Sequence, residues 1–261
     1  MKTISIINLK GGVGKTITAI NMAHILSDMG YRVLIVDNDK QANTSKLFGA
    51  HSYTLPSLAE VLTEKNFPVS EAIRKTEYKN LDIIPANMNL LRADKEILMD
   101  CTRPQQIRMK NALDKVQDEY DFAVIDNAPD LDMGVVNALV ASDDVIIPIK
   151  VDKFAFDGIE MLLEQVEEVK AFNPRINVAG CLVTMAQPNK VCALGKEFLR
   201  EYTALPVFDV AIRKTVKVDE STFAEKPLLV YSKGCTATRD YQVFVSEYLE
   251  KCDNFEHKEV E

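Results

Sequence analysis

Cysteine and histidine are scarce in this chain, and both scarcities exclude chemistry. The five cysteines, Cys101, Cys181, Cys192, Cys235 and Cys252, are scattered among 261 residues, with no C-x-x-C pair and no histidine at metal-ligand spacing. Neither a disulfide framework nor a zinc site is expected, and the thiols read as reduced. Of the three histidines, His24, His51 and His257, the first lies in a helical stretch and reads as structural. No apolar run approaches the roughly 18 residues that a membrane span needs. The opening Met-Lys-Thr leads into a short β-like run without a secretory h-region, so a cytoplasmic location is expected. No Gly/Pro/Ser-rich linker, internal repeat or low-complexity block divides the chain. The net charge of −8 excludes a surface coated with positive charge for nucleic acid, but a local basic patch remains compatible with it.

The chain does contain an ordinary globular balance, 47% hydrophobic and 27% charged residues, which suits one large α/β domain or two small ones. Short apolar runs read as strands over 3–9 (TISIINL), 31–36 (YRVLIV), 81–85, 122–125 (FAVI), 144–149 (DVIIPI), 178–185 (VAGCLVTM) and 207–212. Helical patterns occupy 15–29, 103–117, 156–172, 194–202 and 238–251. Alternation of strand and helix, with runs apolar enough to be buried on both faces, predicts an α/β fold with a doubly wound, mostly parallel sheet and helices on both faces. A single domain is expected over 1–252, followed by a polar, frayed tail over 253–261. No DNA-binding module is expected ahead of the first strand, which starts at residue 3.

The first strand runs into Gly11-Gly12-Val13-Gly14-Lys15-Thr16, and a helix follows at once. Glycines between a strand and a helix let backbone N–H groups turn onto phosphate oxygens, and the helix N-terminus adds partial positive charge. Lys15 is placed to reach β- and γ-phosphates, and the Thr16 hydroxyl to hold Mg²⁺. Carboxylates to complete the metal site stand at strand ends, Asp126 after FAVI and Asp37 and Asp39 after YRVLIV. Strand ends of a parallel sheet share one edge, so these groups can approach the loop.

The whole loop, Lys10-Gly-Gly-Val-Gly-Lys15-Thr16, resembles the deviant Walker A motif K-G-G-x-G-K-[ST] of the ParA/MinD ATPases. VDNDKQAN (36–43) resembles that family's D-x-D-P-Q-x-N segment, and YDFAVIDNAPDL (120–131) its Walker B stretch. NALVASDDVIIPI (137–149) and VKVDESTFAEKPLLVY (216–231) resemble later segments, so the likeness covers nearly the whole chain. The resemblance implies a P-loop NTPase fold, ATP and Mg²⁺ as cofactors, and nucleotide contacts from Lys10, Gly11, Gly12, Val13, Gly14, Lys15, Thr16 and Ile17. It implies that Lys10 crosses a dimer interface to the phosphates held by the other subunit, and so acts in trans during catalysis together with Lys15. It assigns Asp39 to positioning the attacking water, with Mg²⁺ held by Thr16, Asp39 and Asp126, directly or through water. Adenine is placed near Thr184, Met185 and Ile212. Two departures from the pattern, Lys40 in place of proline and Asn127-Ala128 after the Walker B aspartate, bear on the hydrolysis rate.

Within the family, the acidic C-terminal YLEKCDNFEHKEVE lacks the basic amphipathic face of a membrane-targeting helix, so no membrane partner is expected. The stretch after Asp126 lacks the cysteine of an iron–sulfur branch, and the tail lacks the tyrosine cluster of a kinase branch. A partition ATPase of the short form is the expected branch. That reading implies an ATP-dependent homodimer, non-specific double-stranded DNA bound through Lys190, Arg213, Lys214 and Lys217, and a ParB-like centromere-binding protein that stimulates hydrolysis. The implied location is cytoplasmic and nucleoid-associated. A relative that positions a protein cargo, and an ATP-dependent regulator that does not bind DNA, are the alternatives.

Overall fold

Eight strands form one sheet in the order β3-β4-β2-β5-β1-β6-β7-β8. They are β1 (Lys2–Ile6), β2 (Val33–Asn38), β3 (Arg74–Lys75), β4 (Leu81–Ile84), β5 (Phe122–Asn127), β6 (Asp144–Lys150), β7 (Asn177–Ala186) and β8 (Val207–Arg213). The structure is a computed structural model describing residues 1–152, 158–202 and 205–256, the side chains of 191–193, 202 and 253–256 excepted. Every pairing is parallel except that of the two-residue edge strand β3 with β4. The doubly wound α/β expectation holds for a physical reason. Strands β2 and β5 are buried at every position, and β4 likewise, so helices must cover both sheet faces.

β1 lies between β5 and β6, where the strand order reverses, so its C-terminal end opens the crevice in which such sheets bind ligands. The Lys15–Asp28 helix that follows is buried along most of its length and packs Ile20, Met22, Leu26 and their neighbours under β1, β2 and β5. Each such aliphatic side chain contributes about 1.5–3 kcal/mol by leaving water. That burial holds the start of the helix, and therefore the glycine loop, rigidly against the sheet edge.

Several boundaries differ from those expected. The pattern over 103–117 yields a helix only over Arg108–Leu113. It starts there because Asn137 Oδ1 accepts from the backbone N–H of both Arg108 and Met109, a cap supplied by a distant element. Asp100 holds the Arg103 and Arg108 side chains ahead of it. The helix expected over 156–172 spans Ile159–Val169, residues 156 and 157 lying outside the described residues, and Ile159, Leu162, Val166 and Val169 form its buried stripe. The last helix runs Thr236–Glu256 and takes in the first part of the expected tail; residues 257–261 lie outside the described residues. Helices over Leu58–Thr63, Leu90–Met99, Met133–Ala141 and Val216–Phe223 were not anticipated. The first carries a legible signal, a capping box between Ser57 and Glu60.

Candidate active site

The glycine loop turns through Gly12 (φ 72°) and Gly14 (φ 89°), left-handed positions that a side chain would strain. Gly14 caps the Lys15–Asp28 helix, whose first turn holds no carboxylate. Its leading N–H groups have no helical carbonyl to satisfy them and face the crevice as an anion site. Val13 is buried and Ile17 packs against the core, so these two can offer a ligand only their backbone N–H groups. Thr184 Oγ1 donates to the Val13 carbonyl at 2.7 Å and ties the loop to β7.

The two lysines of the loop diverge. Lys15 is 7% exposed, and its ammonium donates to the Lys10 carbonyl at 3.2 Å. Burial lowers its pKa, while Asp126, Asp39 and Asp130 oppose that shift. Lys10 turns the other way, and its Nζ meets Asp152 Oδ1 at 2.5 Å.

Register brings the acidic groups together. β2 and β5 pair with Asp37 opposite Asp126, so two buried carboxylates stand side by side. Ser45 donates to Asp37 Oδ2 from both its N–H (2.8 Å) and its hydroxyl (2.6 Å). Thr44 Oγ1 donates to Asp126 Oδ2 at 2.7 Å. Burial and the neighbouring Asp126 push Asp37 up to about 8. Burial raises Asp126 to about 6 against Thr44, Thr16 and Lys15, which favour its ionised form. Asp126 Oδ1 is buried without a hydrogen-bond partner among the described residues, and Thr16 faces the same carboxylate. A hard cation fits this orphaned oxygen. Mg²⁺ takes one or two protein oxygens and completes its shell with phosphates and water.

These shifts fix a pH dependence. Between about pH 4 and pH 8 the folded protein keeps protons on this pair that the unfolded chain has released, so stability falls as pH rises through that window. The thermal midpoint of the nucleotide-free protein is expected to be higher at pH 5 than at pH 8. Mg²⁺ should raise it more at pH 8, where its ligands are ionised. Thermal unfolding at both pH values, with Mg²⁺ and with a chelator, checks this; equal Mg²⁺ shifts at the two would refute it.

Asp39 is half-buried just beyond β2. Its N–H donates to Asp37 Oδ1 at 3.2 Å, and its Oδ1 accepts from the Gln41 N–H at 2.8 Å. The two departures from the family pattern are absorbed locally. Lys40 Nζ meets Asp130 Oδ2 at 2.7 Å and bridges the loops after β2 and β5. Asn127 accepts from Asn38 Nδ2 at 2.8 Å, and the Ala128 N–H donates to the Asn38 carbonyl. Sequence reasoning missed Thr44 and Ser45; their signal is a pair of hydroxyl residues opening the short helix after the acidic strand end.

The remaining candidates separate. Thr184 and Met185 line a cleft of about 140 Å³ with Lys150, Val151, Gln187, Asn189 and Lys214. Ile212 is 3% exposed and packs in the core, away from that cleft. Lys190 and Lys214 are exposed. Arg213 is held by Asp240 through Nε (2.9 Å) and Nη2 (2.6 Å), and Lys217 by Glu220 (2.7 Å). Two of the four basic candidates therefore have a carboxylate partner within the chain.

Known proteins resemble this chain in sequence and in fold. A family model described as an AAA domain matches residues 1–178. The chromosome partitioning protein ParA of Caulobacter vibrioides is 33% identical over 256 residues, 96% of this chain and 95% of that protein. The sporulation initiation inhibitor protein Soj of Bacillus subtilis is 34% identical over 233 residues, 88% of this chain and 91% of that protein. Cobyrinic acid a,c-diamide synthase of Mycobacterium smegmatis, solved with a bound ATP analogue and magnesium, superposes with a TM-score of 0.82 at 26% identity, over 94% of this chain and 93% of that one.

Proposed function

This chain belongs to the ParA/Soj family of partition ATPases, and on that premise we propose that it is an ATP-dependent dimerising switch on DNA. It binds non-specific DNA and hydrolyses ATP to segregate or position a plasmid, chromosome origin or mobile element. The divergence of the two loop lysines carries this reading. Lys15 turns inward beside the buried carboxylates, as an ATPase requires, and Lys10 turns outward, where a second copy can meet it.

The backbone N–H groups of residues 11–16 and the Lys15 ammonium hold the phosphates. Thr16, Asp39 and Asp126 would hold Mg²⁺, directly or through water; the ATP analogue and magnesium bound to the mycobacterial synthase support ATP and Mg²⁺ as the cofactors. Bound there, Mg²⁺ offsets charge on the β- and γ-phosphates. Asp39 orients the attacking water, and Lys10 stabilises charge on the nucleotide of the second subunit. Thr184 and Met185 border the adenine. Exposed Lys190 and Lys214 supply phosphate contacts to DNA, while Arg213 and Lys217 contribute less because each has a carboxylate partner. A ParB-like partner accelerates the step. No helix among the described residues is long and apolar enough to cross a membrane, and the cytoplasmic, nucleoid-associated location follows from the DNA partner.

Binding to random-sequence duplex DNA at fixed salt, with ATP, with ADP and without nucleotide, tests the reading. Binding is expected with ATP alone and is stronger in Asp39→Ala. Lys214→Ala with Lys217→Ala should weaken it and reduce the slope of log K against log salt by up to about 2, with ATP affinity unchanged. No binding in any state would remove the DNA track and favour a regulator that does not bind DNA.

A further inference from the structure

The β2–β5 ladder ends with Asn38 opposite Asn127, and the Ala128 N–H makes one further bond to the Asn38 carbonyl at 3.3 Å. Beyond that point the two segments part. The β5 side is firmly seated. Asp132 Oδ1 accepts from the Val135 N–H at 2.9 Å and caps the Met133–Ala141 helix, and the Met133 N–H donates to Asp94 Oδ1 at 2.8 Å. Asp130 therefore stands on a short segment anchored at both ends. The β2 side is held less well. Asp39 opens a tight turn, closed by the Ala42 N–H on the Asp39 carbonyl at 2.8 Å. Ala42 takes a left-handed φ of 54°, a conformation that persists only where its surroundings hold it. The bond from the Asp39 N–H to Asp37 Oδ1 is long, at 3.2 Å. Lys40 adds a shorter one across the gap, from Nζ to Asp130 Oδ2 at 2.7 Å, and Asp132 and Asp39 also face its ammonium.

We propose that Lys40 is a positioning residue for hydrolysis, which through Asp130 holds the turn carrying Asp39 in place against the segment that follows Asp126. The inference rests on the reading that Asp39 orients the attacking water, and adds what orients Asp39. The Asp39 carboxylate is fixed by the Gln41 N–H of its own turn, so turn and carboxylate move as a unit. A shift of that unit by about 1 Å takes the carboxylate away from the water it must orient. Proline, the residue of the family motif at this position, restrains a turn by fixing φ. Lys40 replaces that covalent restraint with an ion pair whose side chains are 30% and 46% exposed, so dissolved salt weakens it. The exchange makes the placement of Asp39 responsive to ionic strength.

Steady-state ATP hydrolysis by the full chain with Mg²⁺, at about 0.05 M and about 0.5 M salt, tests this. Lys40→Ala is expected to lower kcat about fivefold at low salt, with KM for ATP within about twofold of wild type. Lys40→Arg, which keeps the pair, should recover most of the rate. Lys40→Ala combined with Asp130→Asn should be no slower than Lys40→Ala alone, because both remove the same interaction. Lys40→Pro restrains the turn without a charge and should exceed Lys40→Ala at low salt. The wild-type rate divided by the Lys40→Pro rate is expected to fall about twofold or more from low to high salt, and salt effects on dimerisation, common to both chains, cancel in that ratio. A structural role alone gives no such salt signature. Lys40→Ala at the wild-type kcat beside a slow Asp39→Ala would overturn the positioning role alone, as would a ratio that salt leaves unchanged. Asp39→Ala at the wild-type kcat would overturn the role of Asp39 and this inference together.

Discussion

Lys15→Ala is expected to weaken ATP binding at least about 100-fold, measured by calorimetric titration in the presence of Mg²⁺. The size follows from what the side chain does. Its ammonium is buried at the mouth of the loop and faces Asp126, Asp39 and Asp130. It is the loop's inward-facing cation, and charge-assisted hydrogen bonds to phosphate contribute about 1.5–3 kcal/mol each. Truncation also leaves Asp126 and Asp37 adjacent with less positive charge beside them, so the incoming triphosphate meets a more negative crevice. Lys15→Arg keeps the charge but brings a larger, planar head group to a buried site, and should recover only part of the affinity. Affinity of Lys15→Ala within about threefold of wild type would mean that the nucleotide sits elsewhere. Its thermal midpoint is read alongside, so that unfolding is not mistaken for lost binding.

Asp39→Ala should lower kcat by about 100-fold while KM for ATP changes little, as expected for a group that acts on the attacking water. The argument is one of preorganisation. Ser45 fixes Asp37 through two hydrogen bonds, Asp37 accepts the Asp39 N–H, and the Gln41 N–H fixes the Asp39 carboxylate. Removing the carboxylate spares the backbone half of that chain, so the loop and the Thr16 and Asp126 side of the metal site survive. ATP-bound dimers should therefore accumulate, because the step that dissolves them is slow. Steady-state turnover and size measurement with ATP check both halves. Wild-type turnover would refute the role of Asp39, and lost turnover together with lost dimers would make it structural.

Much of this candidate site was legible because its glycine-loop part is contiguous. A strand, a glycine loop, a lysine, a threonine and a helix follow one another, and each local preference agrees with the next. The strands were legible for a similar reason, since burial on both faces writes unbroken apolar runs. Helix boundaries were less so. The Arg108–Leu113 helix begins where Asn137, 29 positions away, caps it, and no local pattern marks that point. The basic segment around Arg213 resembles a DNA-contacting segment of the family, and only the fold shows that Asp240 on the last helix pairs with Arg213. Ile212 shows the same limit, because an apolar strand-end residue can face either a ligand or the core, and here it faces the core.

By itself the sequence determined the α/β class, the glycine loop between strand and helix and the acidic strand ends, since each rests on interactions between near neighbours along the chain. The tertiary structure decided which distant groups meet. Parallel pairing of β2 with β5 sets Asp37 against Asp126, folding of Thr44 and Ser45 over the pair satisfies it in part, and the exit from β6 delivers Asp152 to Lys10. Charges separated by tens of residues acquire their partners, their burial and their proton affinities only when strand register places them within a few ångströms, where water no longer screens them.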